Sequence, residues 1–459
     1  MMDTATAAEA VQGMLRGENQ WFDGVAIDSR VVRPGELFVA LRGERFDGHD
    51  YVARAFERGA VAAMVAVDRA ASLSGSVLAV ADPLRALGAL AAFWRGRFSL
   101  PVAGVVGSNG KTTVKEMIAA ILRAQFARDE VHATAGNLNN AIGLPLTTLG
   151  LRARHRASVI EIGMNHAGET AELAAIAKPT IGLINNAQRE HQEFMKSVAD
   201  VAAEHAALLG ALPVRGVAVV NADDDYAPYW TEIVTRRNAE GAMLTMRDFG
   251  LRAPAAVSAR FRIQTWGSVV DVTAPEGTVS FELRAPGRHN VSNALGALAA
   301  ATAAGADLAT AAGSLAAFRP LTGRLQSTEL AEGVVVIDDT YNANPDSVRA
   351  AIAVLARASA PRWLVFGDMG EVGVEGVAFH REIGAYARAA GIERLFGVGE
   401  LTQHAVNAFG ANAEHFADVA TLTTALHPAP GLTVLVKGSR FMRMERVVTA
   451  LTGATAEAH

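Results

Sequence analysis

Two glycines, an ammonium and two threonine hydroxyls fall within the heptapeptide Gly107-Ser108-Asn109-Gly110-Lys111-Thr112-Thr113. Glycine adopts backbone conformations closed to other residues, so such a turn can aim several amide N–H groups at one anion. Lys111 adds a point charge suited to the β- and γ-phosphates of a nucleoside triphosphate, and the Thr112 hydroxyl is a ligand type for magnesium. The generic phosphate-loop pattern has a glycine five residues before Gly110. This chain has Val105 there, so the match is to a shorter form, Gly-Ser/Thr-x-Gly-Lys-Thr. Two more groups suit the same chemistry. Glu161 lies inside an apolar run, where a carboxylate without a partner is costly, and that favours a metal-binding role. His191 follows another apolar run; a lone histidine is commonly structural or exposed, and only its position recommends it as a ligand.

The elements that must place these groups can be read from periodicity. The apolar run 101–106 reads as a buried parallel strand. Val114, Met117, Ile118, Ile121 and Leu122 then recur at helical spacing, so a helix opens at Thr112. Strand, glycine turn and helix N-terminus together form an anion site. Runs 157–162 and 181–184 read as further strands, and ligands of an open α/β sheet collect outside the carboxyl ends of its strands. Glu161 and His191 are therefore expected on the loop's side of one sheet.

Other polar segments admit two readings each. Asn137, Asn139 and Asn140 form either an asparagine-rich turn or a polar wall facing a ligand. Asn290 and Asn293 either cap an alanine-rich helix or read the edge of a base. Asp28, Ser29 and Arg30 form either a capped turn with a surface ion pair or a hold on a phosphate or sugar edge. Lys437 and Arg440 either face an anion or sit on an exposed face. Asp223 to Asp225 read as a solvated loop.

With 459 residues, 50% of them hydrophobic and 19% charged, the chain is a packed globular protein of about three domains. A net charge of -5 without a long basic block argues against nucleic acid. The absence of cysteine excludes disulfides, thiolate metal sites and cysteine nucleophiles. The N-terminal stretch lacks the apolar core of a secretory signal, and no run of about twenty apolar residues suggests membrane insertion. The expected fold class is α/β in three domains. A small N-terminal α/β domain spans 1–98, with one strand expected in its turn-rich opening at 37–41. A central P-loop-type, mostly parallel sheet with helices spans 99–320 and carries an antiparallel hairpin at 270–283. A C-terminal Rossmann-like domain of four apolar strands spans 321–459.

In their order along the chain these segments resemble the Mur ligase family. DSRVVRPGELFVALRGERFDGHDYV is similar to the family's uridine-binding opening, GSNGKTT to its short P-loop and TAGNLNNAIGLPLT to its asparagine loop. EIGMNHAGE resembles the strand with a metal-binding glutamate, and NNAQREH the segment supplying a magnesium-binding histidine. GRHNVSNALGA, Gly323-Arg324-Leu325, DDTYNANPDS, GDMGEVG and VKGSR follow in the family's order. DDTYNANPDS and the KGSR-x-M pattern point to the member that joins D-alanyl-D-alanine to UDP-N-acetylmuramoyl-tripeptide. The Asp-Asn-Pro-Arg signature of the diaminopimelate-adding relative is absent. A folylpolyglutamate synthetase-like ligase is the nearest alternative, but such chains lack the roughly hundred residues that precede Gly107 here.

The resemblance implies ATP-driven amide formation through an acyl phosphate, in cytoplasmic peptidoglycan precursor synthesis, by a monomer using ATP and Mg2+. Thr112 and Glu161 would hold one ion and His191 the other. Gly107 to Thr113, Asn290, Asn293, Arg324 and Asp339 would meet ATP. Asp28 to Arg30 would meet the uridine diphosphate, and Asn137, Asn139 and Asn140 the nucleotide-sugar peptide. Asn342, Lys437 and Ser439 would serve the substrates in the third domain, which would close over the second. Lys111→Ala is expected to abolish turnover and leave the fold intact. One position departs from the family. Mur ligases commonly carry a carbamoylated lysine on the helix after the metal-binding histidine. Here SVADVAAEHAALL puts His205 at the aligned position, beside Glu204, and no lysine lies between Lys196 and Val217. Carbamoylation is expected to be missing, with another group in its place or the second ion held more loosely.

Overall fold

The computed structural model describes residues 1–453, so the last six residues of the expected third domain lie outside the described residues. Three sheets carry the fold. The first runs Met14–Arg16, Val77–Val80, Ala62–Ala66, Glu36–Val39, Gly24–Ala26, parallel except at its first pair. The turn-rich opening that starts at Asp28 holds one strand, Glu36–Val39, as its sequence suggests, and the sheet's two edge strands precede it. Met14–Arg16 and Gly24–Ala26 are three-residue edge strands, too short to show a period, and pairing with their neighbours defines them.

Helix Pro83–Arg95 joins this unit to the next. Asp82 caps it by accepting from the Leu84 and Arg85 amides, and Pro83 fills the first turn, where its missing N–H costs nothing. The Trp94 indole donates to the Leu151 carbonyl, and the buried Arg95 guanidinium donates to the carbonyls of Phe98, Ala177 and Lys178. One apolar cluster accordingly runs from Met2 through Leu87 and Leu173 to Leu244, with no solvent layer between the first sheet and the second.

The second sheet has nine strands. Val131–Ala133, Ala157–Glu161, Val102–Val106, Ile181–Ile184, Thr245–Gly250 and Val257–Gln264 are parallel, with Val217–Asn221 lying between Ile181–Ile184 and Thr245–Gly250 in the same sense. The expected hairpin, Gly267–Ala274 with Gly277–Leu283, extends the sheet antiparallel. Val102–Val106 is wholly buried and lies between Ala157–Glu161 and Ile181–Ile184, on opposite sides of it. Chain direction across the sheet reverses there, and the cleft that such a switch leaves opens at the carboxyl end of this strand. Thr245–Gly250 and Val257–Gln264 were not expected from sequence, because Arg247, Asp248, Arg260 and Arg262 break their apolar pattern.

The third sheet runs Gln326–Glu329, Val335–Asp339, Thr433–Lys437, Arg362–Gly367, Arg394–Val398, Ala413–Phe416. The four central strands are those visible as apolar runs. The two edges, QSTE and AEHF, are polar and partly exposed, as edges that must resist further pairing tend to be. Among the described residues no helix is long and apolar enough to cross a membrane.

Candidate active site

The loop after Val102–Val106 leads into helix Lys111–Gln125. Gly107 and Gly110 both have positive φ, 143° and 82°. A side chain at Gly110 would also collide with Asn293, 2.6 Å from the position a Cβ would take. Gly110 precedes the helix with no side-chain cap, which leaves its first amides free for an anion. Asparagines brace the loop from behind. Asn185 and Asn186 donate to the Asn109 carbonyl at 2.8 and 2.9 Å, the Asn186 side chain accepts from the Asn109 amide, and the Ser108 hydroxyl accepts from the Gln188 amide. Asn293 accepts from Asn185 and donates to Asn290, which donates to the Pro286 carbonyl. Both lie inside helix Arg288–Ala303, whose N-cap is Gly287, so the capping reading is wrong for them. They are buried links holding the loop.

The loop's charged and hydroxyl groups are already engaged. The Lys111 ammonium turns back on the Gly107 and Ser108 carbonyls and lies 3.3 Å from the Glu190 carboxylate. The Thr112 hydroxyl accepts from Arg324 at 2.8 Å, and Arg324 stacks on Tyr341. Glu161 is 2% exposed. One of its carboxylate oxygens accepts from Asn139 at 2.7 Å and the other is buried without a hydrogen-bond partner, an arrangement that fits a cation ligand. Of the other asparagines, Asn140 accepts from the Ile142 and Gly143 amides, as a turn residue does, and Asn137 faces the cavity.

His191 and Glu190 sit together in the segment after Ile181–Ile184. His191 has a positive φ of 49°, and its Nδ1 lies 2.6 Å from Glu371 of the C-terminal unit. Glu190 was not singled out in the sequence, although it adjoins His191 in the same string. Burial pushes its carboxyl up, but Lys111, His205 and His191 hold it down at about 2. His205 Nε2 is 3.2 Å from Glu190, near but not aligned as a hydrogen bond. Among the described residues no three histidine, aspartate or glutamate side chains are gathered into a ready metal cage. The carboxylates point instead at Lys111 and Asn139.

These groups line one cavity of about 1070 Å³, with Leu84 of the N-terminal unit and Asp339, Asn342, Glu371 and Lys437 of the C-terminal unit. Lys437 is 2% exposed and donates to Asp339 at 2.6 Å and to the Asn342 carbonyl, so the exposed-face reading fails for it. Ser439 is buried beside the cavity, tying the Gly370 amide to the Ala343 carbonyl. Burial, with Lys437 adding to it, pushes the imidazole of His289 down to about 4, so this lining residue is neutral at pH 7. Asp28 and Arg30 pair with each other at 2.7 Å at the surface, Ser29 is buried between them, and none of the three lines the cavity. Asp223 accepts from the Leu251, Arg252 and Ala253 amides, so the acidic loop is tied down and not merely solvated.

The C-terminal unit is closed onto the loop. Asn344 and Asn109 exchange amide hydrogen bonds, and Arg189 makes a two-point contact with Asp346 while also reaching Glu382 at 2.7 Å. All three side chains are about a quarter to a third exposed, so solvent weakens the pairs without abolishing them. Arg189→Ala is expected to raise the radius of gyration seen by small-angle scattering. It should also lower kcat/KM about tenfold, the loss of roughly 1–2 kcal/mol of charge-assisted contact. An unchanged scattering profile would show that apolar contact alone keeps the units closed.

Comparison with known proteins agrees with this arrangement. Family models described as the Mur ligase family catalytic domain, the Mur ligase middle domain and the Mur ligase glutamate ligase domain match residues 22–138, 105–301 and 323–440. A UDP-N-acetylmuramoyl-tripeptide–D-alanyl-D-alanine ligase of Escherichia coli (strain K12) is 39% identical over 452 residues, covering 96% of both chains. A crystal structure of MurF from Acinetobacter baumannii superposes with a TM-score of 0.90 at 29% identity, over 99% of each chain. The MurF ligase of Thermotoga maritima in complex with ADP superposes with a TM-score of 0.77 at 26% identity, over 93% of this chain and 96% of that one. With its phosphate loop, closing third unit and end-to-end likeness, the chain belongs to the Mur ligase family.

Proposed function

We propose that this protein is an ATP-dependent ligase that joins D-alanyl-D-alanine to UDP-N-acetylmuramoyl-tripeptide in peptidoglycan precursor synthesis. The observation that carries this reading is the meeting of the glycine-bent loop, Lys111 and the half-partnered Glu161 in one cavity walled by all three units. The terminal carboxylate of the tripeptide takes the γ-phosphoryl group, breaking its bond to ADP and giving an acyl phosphate. The dipeptide's amine then attacks the acyl carbon and loses a proton, and the carbon–oxygen bond to phosphate breaks. The first step brings a carboxylate against a polyanion, so its barrier is set by how well positive charge offsets their repulsion.

The chain's own residues are arranged for that task. Lys111 exchanges its loop carbonyls and Glu190 for the phosphates, and the amides of 110–113 face the same oxygens. Arg324, held over the Tyr341 ring and donating to the Thr112 hydroxyl, is placed to meet the nucleotide. Magnesium fits the donor set of Thr112 and Glu161, with His191 for a second ion, and when bound it screens the phosphate charge during attack. Asn139 fixes Glu161 in place. Residues 1–98 are assigned to the UDP-sugar, with Asp28 to Arg30 at its surface turn. Residues 99–320 are assigned to ATP, with Asn137 toward the peptide. Residues 321–459 are assigned to the dipeptide, with Asp339, Asn342, Lys437 and Ser439 shaping that wall. The protein is read as a monomer, and a nucleotide-linked substrate is consistent with the cytoplasm.

Phosphate release from ATP should require the UDP-muramoyl tripeptide and D-alanyl-D-alanine together, with the joined product seen by mass spectrometry. Equal release without the dipeptide would end the ligase reading.

A further inference from the structure

We infer that Glu190 is a carboxylate ligand of the second divalent cation, the one assigned to His191, with His205 as its positioning residue and Lys111 as its counter-charge only until nucleotide binds. The inference rests on the ATP-dependent reading above. Its side chain is 6% exposed, lines the cavity, and meets three basic groups: Lys111 at 3.3 Å, His205 at 3.2 Å and His191 at 3.8 Å. Its Oε1 is buried with no aligned hydrogen bond, as are both ring nitrogens of the 1%-exposed His205. A purely structural ion pair would leave neither oxygen short of a partner.

The argument turns on Lys111. One ammonium cannot neutralise Glu190 and the terminal phosphates at once. When the phosphates draw Lys111 away, a buried carboxylate is left beside a polyanion, and the two repel. A cation shared between them removes the conflict. His191 is set for the same purpose. The Glu371 carboxylate lies 2.6 Å from its Nδ1, without the alignment of a hydrogen bond, and its Nε2 is on the Glu190 side, so a carboxylate stands behind the imidazole as in sites where one orients a metal-binding histidine. Helix Val198–Gly210 brings His205, the residue aligned with the family's modified lysine, directly against Glu190. A carboxylate already in the chain thus occupies the place for which a carbamate is otherwise made, and no bicarbonate is needed.

The test is Mn2+ binding to the full chain with ADP, followed by the electron paramagnetic resonance of free Mn2+, together with metal-free ADP binding by calorimetry. Glu190→Gln should weaken Mn2+ binding in the ADP complex ten- to a hundredfold, and leave metal-free ADP binding equal or tighter because a negative charge is gone. His205→Gln, which keeps that charge, should weaken Mn2+ binding by a smaller factor. Bicarbonate should change neither the wild-type Mn2+ affinity nor its turnover. If Glu190 only positions Lys111, Glu190→Gln weakens metal-free ADP binding and leaves Mn2+ affinity alone, which overturns the inference. A bicarbonate-dependent rise in Mn2+ affinity overturns it as well. Wild-type protein that binds ADP no better with Mn2+ than without it would refute the magnesium reading itself, and the inference with it. Circular dichroism of both variants separates these outcomes from misfolding.

Discussion

Lys111→Ala is expected to lower kcat by about a thousandfold, the scale on which a single preorganised positive or donor group acts on a developing anionic transition state. The sequence suggested that the loss would be confined to chemistry, because a loop lysine is not a core residue. The structure corrects that. Lys111 is the counter-charge of Glu190, whose side chain is 6% exposed, and its ammonium also ties down the Gly107 and Ser108 carbonyls. Removing one member of a buried pair strands the other, at a cost of about 3 kcal/mol. Lys111→Ala should therefore also unfold at lower denaturant. Lys111→Ala with Glu190→Gln should recover most of that stability and none of the turnover. If the single variant keeps wild-type stability, Lys111 and Glu190 are not coupled in solution and the geometry described here is not the resting one.

Glu161→Gln should move activity and stability in opposite directions. The variant keeps the shape of the side chain and the hydrogen bond from Asn139, but loses the charge. Turnover is expected to fall by about a hundred- to a thousandfold, since the phosphates lose a fixed partner for their cation. The nucleotide-free protein is expected to gain on the order of 1 kcal/mol, because a 2%-exposed carboxylate with one unpartnered oxygen is replaced by a neutral amide. Chemical denaturation with and without Mg·ADP measures both effects. Glu161→Gln should be the more stable protein alone and the less stabilised by the ligand. A variant less stable than wild type in the absence of nucleotide would mean that Glu161 serves the fold.

The phosphate loop was legible because its chemistry is local. Two glycines, a lysine and a threonine at fixed offsets between an apolar strand and an amphipathic helix determine the turn within a few residues. The ends of Ile181–Ile184 and Val77–Val80 were likewise visible, since buried parallel strands read as unbroken apolar runs. Polar strands and amide networks were not. Gln326–Glu329 is a strand only because Val335–Asp339 lies beside it. Asn290, Asn293, Asn185 and Asn109 form one chain of contacts spanning 184 positions, from 109 to 293, which no local pattern encodes.

By itself the sequence determined which groups can meet a triphosphate, on which side of the central sheet they lie, and that three α/β units surround them. Each follows from residue type and short-range period. Only the tertiary structure decided the state of the charges: that Lys111 rests on Glu190, that Asn139 holds Glu161, that Lys437 is buried against Asp339, and that Arg189 fastens the closing unit. Those pairings join residues 22 to 157 positions apart. Their energies depend on burial and distance, quantities that exist only once the chain has packed.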